Sequence, residues 1–215
     1  LLERGRSWNS AGEKDKAKQV FLRAFDAGKR AGNDYLTVDA AHMIAIVEEP
    51  EQALEWNLLG FRILEDTKQE HARHWIGSLS NNIAWTYHDM GDYEAALDYF
   101  EKGRDFRAQE RKEPGYRISL WAVARCKRSM GRVQEALDEQ FAIRDNYYPS
   151  FDPGIHDGAE VDGYLPEEIG ECLLALGREE EAKPYFAAAH KLLSKDEWLV
   201  ENEPERIERL KRLGH

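Results

Sequence analysis

The 215-residue sequence predicts an all-α fold, in which about five helix pairs stack on one another and a charged C-terminal helix closes the stack. Three observations predict this class. A helix–turn–helix pattern recurs around Gly12, Gly91, Gly131 and Gly177. Apolar residues on both sides of each turn follow helical spacing, and no segment shows the strict alternation that a half-buried strand requires.

The clearest unit runs from Asn82 to Gly103. Before its turn the apolar residues fall at i, i+1 and i+4, and after its turn they recur at helical spacing through Phe100. Gly91 suits the left-handed residue that ends a helix, and Asp92 suits the cap that begins the next one. This segment therefore predicts two helices around a tight turn.

Four further copies follow the same pattern with different clarity. Aligned on their turns, the five copies begin their second helices near residues 13, 49, 92, 132 and 178, so they recur every 36 to 46 residues. The second copy lacks the glycine, but Pro50 can occupy the first turn of its second helix, where the missing N–H costs nothing. In the fifth copy, Pro184 predicts a kink within the second helix.

The pattern resembles the tetratricopeptide repeat, in a variant with lengthened repeats similar to those of kinesin light chains and of bacterial sensor and adaptor proteins. The small residues Ala84, Ala96 and Gly103 and the aromatic residues Tyr87 and Phe100 carry the resemblance. It implies a right-handed α-α superhelical solenoid that forms a single domain over residues 1–215. The expected repeat units lie near 1–33, 34–68, 69–110, 116–145 and 163–195, with an inserted acidic loop at 146–163 and a C-terminal cap at 196–215.

The composition excludes several classes of function. Thirty basic against 41 acidic residues give a net charge of −11, which disfavours binding to nucleic acid because a binding face must supply cations to the phosphates. No apolar run is long enough for a membrane helix. Cys126 and Cys172 are too few for a disulfide framework, predict buried packing, and favour the cytoplasm. No cofactor is expected.

One segment departs from the repeat. Residues 145–177 carry eight acidic residues and no Lys or Arg. Their first half is rich in turn formers and predicts a long loop. Tyr147, Tyr148 and Phe151 indicate either a loop packed on the solenoid, conceivably across its concave face, or a solvated connector whose aromatic residues fill a gap between repeats. A calcium site could be built from Asp152, Asp157, Glu160 and Asp162, but these residues lack the ordered ligand spacing of a calcium loop.

Candidate catalytic groups are few. His71 and His74 could share a helix face and bind a metal, but no third ligand has a fixed spacing, so surface imidazoles explain them better. His156 and Asp157 could pair as a base and its orienting group, although such pairs are seldom neighbours in sequence. We therefore expect no metal site, no catalytic residue and no enzymatic activity.

The resemblance implies that the first helices line a concave groove. Its side chains, carried over position by position, include Tyr35, Val38, Ser78 and Ile118, and the candidate binding residues are His42, Asn81, Trp85, His88, Trp121, Arg125, Arg128, Tyr164, Glu167 and Glu171. We expect Trp85 and Trp121 to act as anchors. Arg125 and Arg128 would form a cationic step, and Glu167 and Glu171 an anionic end. For each the alternative is simple packing or pairing within the chain.

The sequence thus predicts a scaffold that binds a protein or peptide, with a basic segment of the partner facing the acidic end. Of the side chains that some family members use to hold the C-terminal carboxylate of heat-shock chaperones, only Asn82 is present, which disfavours that role. The alternatives are a regulatory sensor holding a signalling peptide or small molecule under the 147–163 loop, a self-assembling array and, last, a metal-dependent enzyme. The oligomeric state is open.

Overall fold

The computed structural model describes residues 1–110, 113–155 and 161–215, and every regular element within these ranges is an α-helix. The all-α prediction is confirmed. In chain order the helices are α1 (Leu2–Ser10), α2 (Lys14–Arg30), α3 (Asp34–Val47), α4 (Pro50–Asp66), α5 (Glu70–Arg73), α6 (Trp75–Asp89), α7 (Tyr93–Glu110), α8 (Gly115–Ser129), α9 (Val133–Tyr147), α10 (Tyr164–Ala175), α11 (Glu179–Leu193), α12 (Glu197–Asn202) and α13 (Pro204–Leu213).

The chain divides into two compact units, residues 1–119 and residues 120–215. In unit 1, α1 packs on α2, α3 on α4 and α6 on α7, and these pairs also pack on one another through α2 with α3 and α4 with α6. In unit 2, α10 packs on both α9 and α11, and α13 packs on α11. Each unit is therefore a stack of antiparallel helices with its own apolar core. The single-domain boundaries stay a prediction.

Glycines in the left-handed region make the turns, as the sequence predicts. Gly12, Gly91, Gly131 and Gly177 have φ between 72° and 80°, where an L side chain is strained. At the third turn, Asp92 Oδ1 accepts a hydrogen bond from the Ala95 N–H at 3.1 Å and caps α7. In the second copy, Pro50 begins α4. The helix α11 continues from Glu179 to Leu193 through Pro184.

The segment between α9 and α10 contributes to the core of unit 2. Tyr148 and Val161 are buried there, and the ring of Phe151 lies 6.5 Å from that of Tyr185 in α11. Asp162 Oδ1 accepts hydrogen bonds from the first N–H groups of α10. The aromatic residues thus pack between helices, as the connector interpretation expects. His156, Asp157 and Glu160 lie outside the described residues.

Both cysteines are buried packing residues, as predicted. Cys126 and Cys172 form no disulfide bond, and neither side chain has exposed surface. Burial raises the pKa of the Cys172 thiol to about 12, so it stays protonated at neutral pH. A reactive cysteine is exposed and has a lowered pKa, whereas both of these side chains are buried and the pKa of Cys172 is raised.

Candidate functional site

In unit 1 the candidate residues lie on the first helices of the second and third repeats, α3 and α6. His42 of α3 is half-buried, its ring is 5.3 Å from that of Trp75, and its Nδ1 lies 3.3 Å from Asn82 Nδ2. Burial lowers the pKa of His42, because the imidazolium would be poorly hydrated there. His42 is therefore a neutral, hydrogen-bonded ring at neutral pH.

Trp85 and His88 form an aromatic group near the end of α6. The Trp85 ring meets Phe100 of α7 edge-on at 4.9 Å and His88 at 5.2 Å, and His88 lies 5.1 Å from Tyr93. Trp85 and His88 remain half-buried rather than enclosed. Packing within the repeat fixes one side of each ring and leaves part of it accessible to a ligand.

The two other histidines of this region are held at the beginning of the third repeat. His71 stacks on Tyr35 at 4.2 Å, and His74 Nδ1 lies 2.8 Å from Glu110 Oε1. Within the described ranges, no group of three His, Cys, Asp or Glu side chains could hold a metal ion. His71 and His74 therefore act as surface contacts between helices.

In unit 2, Trp121 and Tyr164 lie together on α8 and α10. The indole Nε1 of Trp121 donates a hydrogen bond to the Tyr164 carbonyl at 3.3 Å, and the two rings are 6.1 Å apart at a steep angle. The guanidinium groups of Arg125 and Arg206 lie 5.5 Å from the Trp121 and Tyr164 ring centroids, respectively. Contacts within the unit thus hold both aromatic rings.

A network of four arginines and four glutamates lies beside these rings. At its centre, Glu168 has a side chain only 2% exposed and accepts three hydrogen bonds, one from Arg125 at 2.9 Å and two from Arg128 at 2.8 and 2.9 Å. Burial opposes the charge of Arg128, but its bonds to Glu168 outweigh this and raise the pKa of Arg128. The pairs are charge-assisted and partly desolvated.

The C-terminal helix supplies the other half of the network. Arg206 of α13 binds Glu167 through two guanidinium nitrogens and also reaches Glu203, while Arg209 binds Glu171. The hydrogen bond to Glu167 raises the pKa of Arg206. The eight side chains line a polar cavity of about 360 Å³ and carry equal numbers of opposite charges.

The repeat pattern of this chain is also found in known proteins. Residues 75–139, which include the α6–α7 pair, match the tetratricopeptide repeat family model. Over these residues the chain is similar in sequence to the tetratricopeptide repeat. At the level of sequence, no curated protein matches the chain.

Solved structures extend the likeness in fold over most of the chain. The nearly identical TPR-like repeats of a candidate kinesin light chain from Podospora anserina match with a TM-score of 0.70 at 15% identity, over 91% of this chain and 94% of that one. MamA of strain AMB-1 matches with a TM-score of 0.58 at 19% identity, over 90% and 98%. YrrB, described as a TPR protein with an unusual peptide-binding site, matches with a TM-score of 0.58 at 15% identity, over 95% and 90%.

The expected groove positions of the repeats fall into three environments. Val38 is fully buried in the core of unit 1, so it cannot face a groove as expected. His42, Trp85 and His88 are half-buried beside other aromatic rings. Asn81 lines a cleft together with Ile118, which is 52% exposed.

The charges of the expected cationic step and anionic end are paired within the chain, as the alternative to a binding role expects. Arg125 and Arg128 neutralise Glu168, a residue that the groove positions did not include, while Arg206 and Arg209 neutralise Glu167 and Glu171. The helical spacing of the two C-terminal arginines, three residues apart on an amphipathic helix, was the only signal for this pairing. No pattern in sequence shows on which helix that face docks.

No helix in the described part of the chain is long and apolar enough to cross a membrane.

Proposed function

We propose that this protein is a non-catalytic scaffold that binds an extended segment of a protein or peptide on the first helices of its tetratricopeptide repeats. The observation that supports it best is the surface of α3 and α6 in unit 1. There, His42, Asn81, Trp85 and His88 are half-buried, and ring contacts hold one side of His42, Trp85 and His88.

Such a surface suits peptide recognition for two reasons. Rigid aromatic side chains offer a large contact area and lose little conformational entropy on binding, because packing already holds them. The amide of Asn81 adds an uncharged hydrogen-bonding group, which avoids the desolvation cost of a full charge, and the imidazole of His88 adds a second hydrogen-bonding group. The peptide-binding site named for YrrB, which shares the fold, is consistent with this role.

The corresponding surface of unit 2 is a weaker candidate for the primary contact. Its carboxylates, Glu167 and Glu171, already bind Arg206 and Arg209 of α13. A basic segment of a partner would have to replace these arginines, and the gain would be offset by the bonds lost. We therefore assign the main contact to unit 1 and retain a basic partner segment only as a secondary contact. A cytoplasmic location stays a prediction from cysteine usage.

Selection from a displayed library of random peptides tests the proposal. The enriched peptides should bind the purified protein in fluorescence anisotropy, and the double variant Trp85→Phe, His88→Ala should weaken them at least about tenfold. Asp98→Asn, on the exposed side of α7, is the matched control and should bind like the wild type. Circular dichroism establishes that both variants stay helical. Failure to enrich any peptide, or equal affinity in the double variant, contradicts the proposal.

A further inference from the structure

Unit 1 contains a small cleft between α6, α7 and the first turn of α8. Its volume is about 130 Å³, and its lining includes Gly77, Asn81, Phe100, Arg107 and Ile118. The volume counts the space open to the centre of a water-sized sphere, and one buried water needs roughly 10–15 Å³ of it. The cleft can therefore hold a group of several heavy atoms. It has room for a short side chain.

The backbone of two glycines positions Arg107 in this cleft. A Cβ atom at Gly115 would lie 2.2 Å from Arg107 Nη1, and one at Gly77 would lie 3.1 Å from Arg107 Nε. Any side chain at Gly115 would therefore displace the guanidinium. Because both positions are glycine, the guanidinium has room to lie directly against the two helix backbones.

Arg107 differs from several other half-buried arginines of the protein. Arg6, Arg104, Arg128 and Arg206 each bind at least one carboxylate. Arg107 is also half-buried, yet within residues 1–110, 113–155 and 161–215 its guanidinium forms no hydrogen bond or ion pair. A cation that has lost part of its hydration without gaining a counter-ion favours an incoming anion.

The neighbours of Arg107 indicate which anion fits. The Phe100 ring and the exposed Ile118 provide apolar contacts for a short aliphatic stem, and the half-buried Asn81 offers an uncharged donor. A carboxylate matches the planar donors of one guanidinium, whereas a polyanion would meet the net charge of −11. The lining thus suits an acidic side chain with a short apolar stem.

We propose that this cleft binds the carboxylate of an aspartate or glutamate side chain in the peptide ligand, with Arg107 as its counter-ion. The assignment rests on the peptide-binding function proposed above and specifies one residue of the ligand. Asn81, on the same helix face as Trp85, connects the cleft to the aromatic surface of α6. The carboxylate would set the register of the peptide on unit 1, because it is the only charged contact proposed for that unit.

Titration with small amides tests the cleft without any peptide. In ¹⁵N-labelled protein, the side-chain Nε–Hε signal of Arg107 is assigned by its loss in Arg107→Gln. N-acetylglutamate α-amide should shift this signal saturably in the millimolar range, while the neutral isostere N-acetylglutamine α-amide should not. N-acetylglycine, which carries a chain-end carboxylate, and inorganic phosphate should bind more weakly. Equal shifts from the glutamine compound, or tighter binding of N-acetylglycine or phosphate, overturn the assignment.

Two variants test whether binding depends on the position of the Arg107 guanidinium or only on positive charge nearby. Gly115→Ala keeps Arg107 but displaces its guanidinium, so it should weaken the glutamate compound about tenfold or more while thermal unfolding shows the unit still folded. Arg104→Gln removes a neighbouring arginine that already binds Glu101 and Asp105 and should leave the titration unchanged. Unchanged binding in Gly115→Ala would contradict the geometry.

The same experiments distinguish the two proposals. If the glutamate compound binds at Arg107 but the library yields no peptide, the scaffold function fails, and the cleft stands as a carboxylate site but not as part of a peptide-binding surface. If peptides are enriched without an acidic residue, and bind Arg107→Gln as tightly as the wild type, the cleft assignment fails alone.

Discussion

The central carboxylate of the unit 2 network offers the sharpest test of how this protein is stabilised. We predict that Glu168→Gln lowers the free energy of unfolding by about 3 kcal/mol, because removing one partner of a buried ion pair costs roughly 3–5 kcal/mol. The lower end applies, since Arg125 and Arg128 keep side-chain exposures of 28% and 24% and can be partly hydrated. The amide retains the shape of Glu168 but leaves two guanidinium groups side by side with no charge between them.

For a chain of this length, about 3 kcal/mol corresponds to a fall in melting temperature of roughly 6–12 °C. Thermal unfolding followed by circular dichroism measures it, and hydrogen exchange of the α8 and α10 amides localises it to unit 2. Glu135→Gln is the matched control: Glu135 pairs with Arg132 on the exposed side of α9 and should show no measurable change. A loss below about 1 kcal/mol for Glu168→Gln would refute the reasoning, because exposed pairs contribute that much.

Replacing Arg125, Arg128 and Glu168 together by apolar residues provides a second test of how this network affects stability. The triple variant Arg125→Met, Arg128→Met, Glu168→Leu removes the charges together with their desolvation cost, and such replacements are often neutral or stabilising. It should therefore be more stable than Glu168→Gln alone. A triple variant less stable than the single one would show that the network contributes more than it costs.

Two further predictions concern unit 1. Gly91→Ala should lower the free energy of unfolding, measured by urea titration, by about 1–2 kcal/mol. The residue has a φ of 80° and nothing lies within 4 Å of the added Cβ, so only the backbone is strained. Gly91→Asn should lower the free energy of unfolding by less, and equal losses in the two variants would contradict this cause. Because burial lowers the pKa of His42 below its ordinary value near 6.5, the unfolded chain binds a proton more readily, and stability should fall as the pH drops below about 6.5. His42→Gln should flatten this dependence between about pH 5 and 7, and an unchanged slope would exclude His42 as its source.

Local rules account for what could be predicted of the fold. The left-handed glycine of each turn, the Asp92 cap and the proline that begins α4 depend on neighbours within a few residues, so their effect is readable in the sequence. The burial of Cys126 and Cys172 was also readable, since both occupy the same position on the apolar side of first helices.

The candidate site was less accessible to sequence reasoning. Repeat positions indicate on which face a side chain lies, but not how far a neighbouring helix covers it, and Val38 is covered completely. The cleft at Arg107 depends on glycines from α6 and α8 meeting a side chain from α7, and no periodicity reports such a juxtaposition.

By itself, the sequence determined that this chain forms antiparallel helix pairs with glycine turns, because helical spacing and turn chemistry act over short distances. The electrostatic character of its surfaces was decided only by the tertiary structure. Glu167, Glu168 and Glu171 are part of an acidic segment in sequence, yet each binds an arginine from α8 or α13. Charge pairs across helices depend on packing between residues some 40 positions apart, and that packing exists only once the unit has folded.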